Sequence, residues 1–147
     1  MYMWKIILIS LFFTTLIYAS EATFLMLKNE KVNVRYGPGF KYPIKFVYKK
    51  RFLPVKVIDN KENFRRIIDH KNNSGWIHIS QLKKVNSLIV SEDTILFSKA
   101  SKFSKPVAKI KSGRLLLVKK CEDRWCKIKT GEYSGWVDTK YLWGSIK

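Results

Sequence analysis

An internal echo, spaced by about the length of a minimal domain, restricts this chain more than any other feature. Ser74-Gly75-Trp76-Ile77 returns as Ser134-Gly135-Trp136-Val137 at an offset of 60. Upstream, Phe64-Arg65-Arg66-Ile67 matches Trp125-Cys126-Lys127-Ile128 at an offset of 61, and Tyr42-Pro43-Ile44 aligns with Lys105-Pro106-Val107 at 63. A drifting offset is what loops of unequal length produce between two copies of one fold. The period is too long for a solenoid repeat and suits a minimal domain. The sequence therefore predicts two small domains, residues 23–85 and 86–147, after a leader over residues 1–22.

Each copy reads as strands. Val32 and Val34 alternate with polar neighbours, as do Phe46 and Tyr48, then Val55 and Val57, and the runs Arg66–Ile68 and Trp76–Ile79 follow. Short β-branched and aromatic runs between Gly, Asn, Asp and Lys clusters predict an all-β unit. Outside the leader no segment sustains the i, i+3, i+4, i+7 stripe of an amphipathic helix. Lys83–Ser87 is the expected linker, short enough that the two units should touch.

The leader has its own logic. Lys5 gives a positive start, Ile6–Ile17 is a short apolar run, and Ala19, Ser20 and Ala22 are small. That is the layout of a secretory signal peptide, cleaved after Ala22 or after Ala19. An uncleaved anchor is the alternative, but the run falls short of the roughly 18–20 residues a spanning helix needs.

Charge is the other large signal. Lysine and arginine total 29 against 11 acidic residues, a formal net charge of +18. An exported protein of this charge is drawn to envelope polyanions, among them anionic lipid head groups and wall carboxylates, with no defined site required. Lysine-rich composition without specific polyanion binding is the competing reading. A nucleic-acid role would require retention in the cytosol, and none is expected.

The stretch Val32-Asn33-Val34-Arg35, with Gly37-Pro38-Gly39 and Tyr42-Pro43 behind it, the later Phe/Trp-x-Arg/Lys-Ile, and the Gly-Trp-Ile/Val pair together resemble the bacterial SH3 family. The resemblance spans nearly all of residues 24–147 as two tandem copies. It implies two SH3-like barrels, each with a shallow groove walled by the long loop after its first strand. Gly37 and Gly39, able to take positive φ, and Pro38, whose ring locks its own φ, should stiffen that loop. Tyr36 is expected to be exposed there, and Tyr42 to be either a lid or a contact residue. Phe64 and Trp125, three residues before core isoleucines and so facing the other way, would be the groove aromatics. Arg35, Arg65 and Arg66 are candidate carboxylate partners. Trp76 and Trp136 read as rings closing the barrel ends, and Trp143 as a bridge between units or a seal on the second. The second copy departs from the pattern where Ala100-Ser101-Lys102-Phe103 stands in place of Gly37-Pro38-Gly39-Phe40, which counts against a shared loop-based binding role there, while Trp125 is the foremost single contact candidate.

Catalytic chemistry is not expected. His70 and His78 are the only histidines, both in the first copy, and no histidine of the second copy is available to Cys126. Cys121 and Cys126 in Cys-Glu-Asp-Arg-Trp-Cys predict a disulfide across a tight hairpin in an oxidising compartment. Neither metal nor cofactor is anticipated. The expected function is that of an exported, non-catalytic binder of peptidoglycan stem peptides or of an envelope protein. The alternative is a structural adaptor held on an anionic membrane surface.

Overall fold

The computed structural model of the protein describes residues 22–146, so the expected leader lies outside the described residues except for Ala22. Among the described residues, fourteen strands form two seven-stranded antiparallel sheets. The first holds β1 (Thr23–Leu27), β2 (Val32–Arg35), β3 (Ile44–Tyr48), β4 (Pro54–Lys61), β5 (Phe64–Ile68), β6 (Ser74–His78) and β7 (Leu82–Lys84). The second holds β8 (Ser87–Val90), β9 (Thr94–Phe97), β10 (Pro106–Ile110), β11 (Leu115–Glu122), β12 (Trp125–Thr130), β13 (Tyr133–Asp138) and β14 (Leu142–Trp143). Strand order runs β3-β2-β6-β5-β4-β1-β7 in one and β10-β9-β13-β12-β11-β8-β14 in the other. The two orders are the same, strand for strand. Duplication extends to detail: each sheet bulges in its first hairpin, at Val34/Arg35 and at Pro106/Ala108, and again in the next, at Val57/Asp59 and Val118/Lys120. Bulges bend and twist short strands, which lets each sheet curl around its own core.

Period-2 alternation decides what enters that core. Val32, Val34, Val55, Ile67 and Ile77 are fully buried in the first unit, and Leu96, Leu116, Ile128 and Val137 in the second. Trp76 and Trp136 belong to neither cluster. Each sits half-buried between a buried glycine and a buried aliphatic residue of its own strand. Their rings therefore face outward from the sheet rather than plugging a barrel end, and Lys120 Nζ lies 5.4 Å from the Trp136 ring centre.

The two units share a core. Ile89, on β8, is completely buried within the first unit's cluster, and Leu115 and Trp143 pack against it from the same side. Trp143 meets Phe24 edge-on at 5.1 Å and the His70 ring at 6.1 Å, so it is the bridge between units. Ser87 Oγ donates to the Phe52 carbonyl at 2.6 Å. Only Val85 and Asn86 separate β7 from β8, and Val85 and Ser87 are buried. The short linker is part of the interface, and the units are fixed to one another.

Cys121 and Cys126 face each other in register across β11 and β12 and are joined by a disulfide. Closing so short a loop stabilises by about 2 kcal/mol in the chain-entropy treatment. Reduction with dithiothreitol should accordingly lower the urea midpoint of the second unit. Equal midpoints with and without reductant would show that the bond contributes nothing to stability.

Candidate functional site

In the first unit the groove aromatic is covered by a residue of the protein's own loop, Phe40. The β2–β3 loop is stapled by Arg35, whose guanidinium donates to the carbonyls of Tyr42 at 2.8 Å and Phe40 at 3.3 Å. It also lies 5.4 Å from the Phe40 ring centre. Neither Gly37 nor Gly39 adopts positive φ. Gly37 serves a different purpose: a Cβ there would stand 2.5 Å from the Tyr42 ring, which is laid against it. The loop is stiff because a ring packs on a glycine, not because the glycines are left-handed. Phe40 then reaches over the sheet and meets Phe64 at 5.3 Å and His78 at 5.1 Å.

The seven residues singled out from sequence scatter accordingly. Phe64 does face away from the barrel core, as alternation requires, yet it is only 6% exposed, because Phe40 covers it. Its expected role as an open groove contact is corrected on that ground. Tyr36 is 61% exposed, with Lys45 Nζ 5.7 Å from its ring centre. Tyr42 is laid against Gly37 and remains 37% exposed, and Arg35 engages the loop carbonyls through one of its terminal nitrogens. Arg65 donates to the carbonyls of Glu62 and Phe64 and borders a separate cavity of about 380 Å³ beside β1. Arg66 is exposed opposite Asp59. Trp125 stands in an open pocket.

That pocket belongs to the second unit. It measures about 500 Å³ and is walled by Phe97 and Trp125 with Lys102, Phe103, Arg124, Asp138, Lys140 and Tyr141. Phe97 and Trp125 meet edge-on at 5.9 Å. Strand pairing explains why it is open. Phe97 pairs with Pro106 where Arg35 pairs with Ile44. The loop hydrogen bonds repeat with the same shift: Tyr36 N to Pro43 O becomes Ser98 N to Lys105 O, and Tyr42 N to Gly39 O becomes Ser104 N to Ser101 O. The offset in this hairpin is therefore 62, not the 63 that Pro43 and Pro106 suggest in sequence. Lys102 is the counterpart of Phe40, and Phe97 that of Arg35. A lysine cannot cap the groove as a phenyl ring does, so the space over Trp125 stays empty. Phe103, the counterpart of Lys41, is 88% exposed at the rim.

The electrostatics of the pocket are set by one ion pair. Arg124 donates through a terminal nitrogen to Asp138 Oδ2, and the Lys140 amide donates to Asp138 Oδ1 at 3.1 Å. Burial acts to raise the Asp138 carboxyl, but donation from Arg124 and from the Lys140 amide prevails and holds it below the usual carboxylate range. Asp138 is therefore ionised at neutral pH and holds Arg124 beside Trp125. Among the described residues no cluster of His, Cys, Asp or Glu could hold a metal ion. Phe40, Phe97, Lys102 and Arg124 were not legible as a set from sequence. Only the pairing register brings them together.

Comparison with known proteins places this geometry. The bacterial SH3 domain model matches twice, over residues 28–84 and 90–144. The chain belongs to the bacterial SH3 domain family. Its fold is a pair of tandem SH3-like barrels, and the open pocket of the second bacterial SH3 domain lies between the long hairpin loop and the turn before the last strand. No curated protein matches the chain. Solved structures that resemble it include NlpC2 from Trichomonas vaginalis, at 12% identity and a TM-score of 0.40, covering 84% of this chain and 48% of that one. NlpC1 from the same organism matches at 13% and 0.39, covering 84% and 46%. The chain spans about half the length of these structures.

Proposed function

We propose that this protein is an exported, non-catalytic binder of the cell envelope, with the second unit's groove as its binding site and peptidoglycan stem peptides as its ligand. Family membership supports a binding role, and the signal-peptide layout of residues 1–22 supports export. The observation that carries the reading is the asymmetry of the two grooves: one is capped by Phe40, and the other is open over Trp125. Aromatic rings held on a rigid sheet lose little entropy on contact, which makes them efficient binding surfaces. Because the first groove is occupied, binding is assigned to one unit, with the other serving as its rigid support. An envelope protein is the second candidate ligand for the same groove.

A pulldown on purified sacculi at moderate salt tests this. Mature protein should sediment, and Trp125→Ala should weaken retention by about tenfold, the loss of roughly 1.4 kcal/mol. Phe64→Leu, altered in the capped groove, should bind as wild type. Protein that stays in the supernatant would end the wall reading. Binding to anionic liposomes that collapses as salt rises, and is indifferent to Trp125→Ala, would assign the protein instead to an anionic lipid surface as a structural adaptor.

A further inference from the structure

We infer that the second unit's pocket is built for the carboxylate-bearing end of a peptide whose side chain is apolar. The inference rests on reading this groove as the binding site and names the chemistry of what enters it. The first unit displays what the space accepts. Phe40, itself 65% exposed, lies over the groove with the inner side of its ring set against Phe64 and His78. In the second unit the same loop position is Lys102, and the ring's place against Trp125 is vacant. A ligand supplying an apolar side chain restores the missing contact.

Charge selects the rest of the ligand. Two carboxylates border the pocket, and both are engaged. Asp93 accepts from Lys111 Nζ at 2.9 Å and from the Ser112 amide at 2.8 Å, while Asp138 accepts from Arg124 and the Lys140 amide. The cations are less committed. Lys102 and Lys140 form no ion pair among the described residues. The Arg124 side chain is 62% exposed although one of its nitrogens is held by Asp138. A guanidinium has five N–H donors in a fixed fork, so this one is oriented by Asp138 and still has donors to offer. An incoming carboxylate meets three cations and no unpaired acid. An incoming cation or amide gains nothing comparable. Phe103, exposed at the rim on the same loop as Lys102, borders the entrance.

The test titrates the full mature protein with small probes while following the Trp125 indole resonance, assigned by Trp125→Phe. N-acetyl-phenylalanine carries both features, N-acetyl-phenylalaninamide lacks the charge, and N-acetyl-alanine lacks the ring. The acid should saturate the Trp125 signal, with the amide and the alanine derivative each at least about tenfold weaker. Lys102→Gln with Lys140→Gln, both exposed and free of ion pairs, should weaken the acid at least about threefold and leave the amide unchanged. Arg124→Lys should narrow the gap between acid and amide, since a point charge replaces the fork. Equal binding of acid and amide would overturn the inference, as would a response confined to residues of the first unit. The two proposals fail separately. Sacculus retention with no preference for the acid sinks this one alone, whereas acid-selective binding at Trp125 with no retention on sacculi sinks only the wall reading.

Discussion

Gly135→Ala is expected to destabilise the second unit by about 3 kcal/mol, at the upper end of what overpacking a core usually costs. A Cβ at this position would stand 2.5 Å from the Phe97 carbonyl oxygen and 2.9 Å from Leu96 Cγ. The first of these neighbours is backbone and the second is a fully buried core side chain, so neither can step aside. The methyl would force β9 away from β13, and the one register pair between them, Phe97 with Trp136, would open. Because Phe97 also walls the pocket, the same substitution should spoil binding at Trp125. For a unit this small, about 3 kcal/mol corresponds to a fall in melting temperature of roughly 15 °C or more. Gly113→Ala is the control. It has positive φ but open space around it, so backbone strain of about 1–2 kcal/mol is its only cost. Thermal unfolding of both variants checks the order, and a Gly135→Ala protein as stable as Gly113→Ala would refute the packing account.

This result also explains why the Gly-Trp pair was the most legible element in the sequence. Gly75 meets the same crossing in the first unit, where a Cβ would collide with Val34 Cγ1 and lie 3.1 Å from the Arg35 carbonyl. Two sheets of one topology need a glycine at the same crossing, and the repeat follows from that. Alternating valines such as Val32 and Val34 were legible for a similar reason: burial on one face is a local property of a strand. Ile89 was not. Period 2 says that it faces opposite to Leu88 and Val90, but not that the first unit's core lies on that side.

The site was less legible than the fold because its decisive features are long-range. Phe64 faces outward as alternation predicts, and nothing near it in sequence reports that Phe40 will lie on top. The proline alignment of Pro43 with Pro106 placed Phe103 opposite Phe40, whereas hydrogen-bond register places Lys102 there. A shift of one residue exchanged a cap for a cation and left the groove of the second unit open. The Gly-Pro-Gly loop organises a groove that its own Phe40 covers.

Asp69 should be the most sensitive polar residue in the protein, and its bond to Tyr48 should give the fold a pH dependence at both ends of the scale. It sits in the β5–β6 connection, buried, and its carboxylate accepts four hydrogen bonds: from Tyr48 Oη, the Lys71 amide and the Asn73 amide, each at 2.9 Å, and from Asn73 Nδ2 at 3.0 Å. Asp69→Ala would orphan Tyr48 and three loop donors at once. Unsatisfied buried groups cost about 1–3 kcal/mol each, and some of these will find water, so a loss of about 3 kcal/mol is expected. Burial acts to raise the Asp69 carboxyl, but the donors from Asn73, Tyr48 and Lys71 outweigh it and hold it below its ordinary range. Its contribution is therefore complete above the unfolded value near 3.9 and is lost as pH falls through the lower folded value. Tyr48 runs the other way. Burial first, then its bond to Asp69 and that carboxylate's charge, push its hydroxyl well above the usual tyrosine range. Stability from Tyr48 is complete below about pH 10 and declines as pH rises beyond it. Urea midpoints measured from pH 2 to 6 and from pH 9 to 11 should fall at both extremes. Tyr48→Phe should flatten the alkaline limb while retaining an acid limb, and Asp69→Asn should flatten the acid limb. An alkaline limb unchanged in Tyr48→Phe would mean that other groups carry it, and that this bond does not couple loop to sheet.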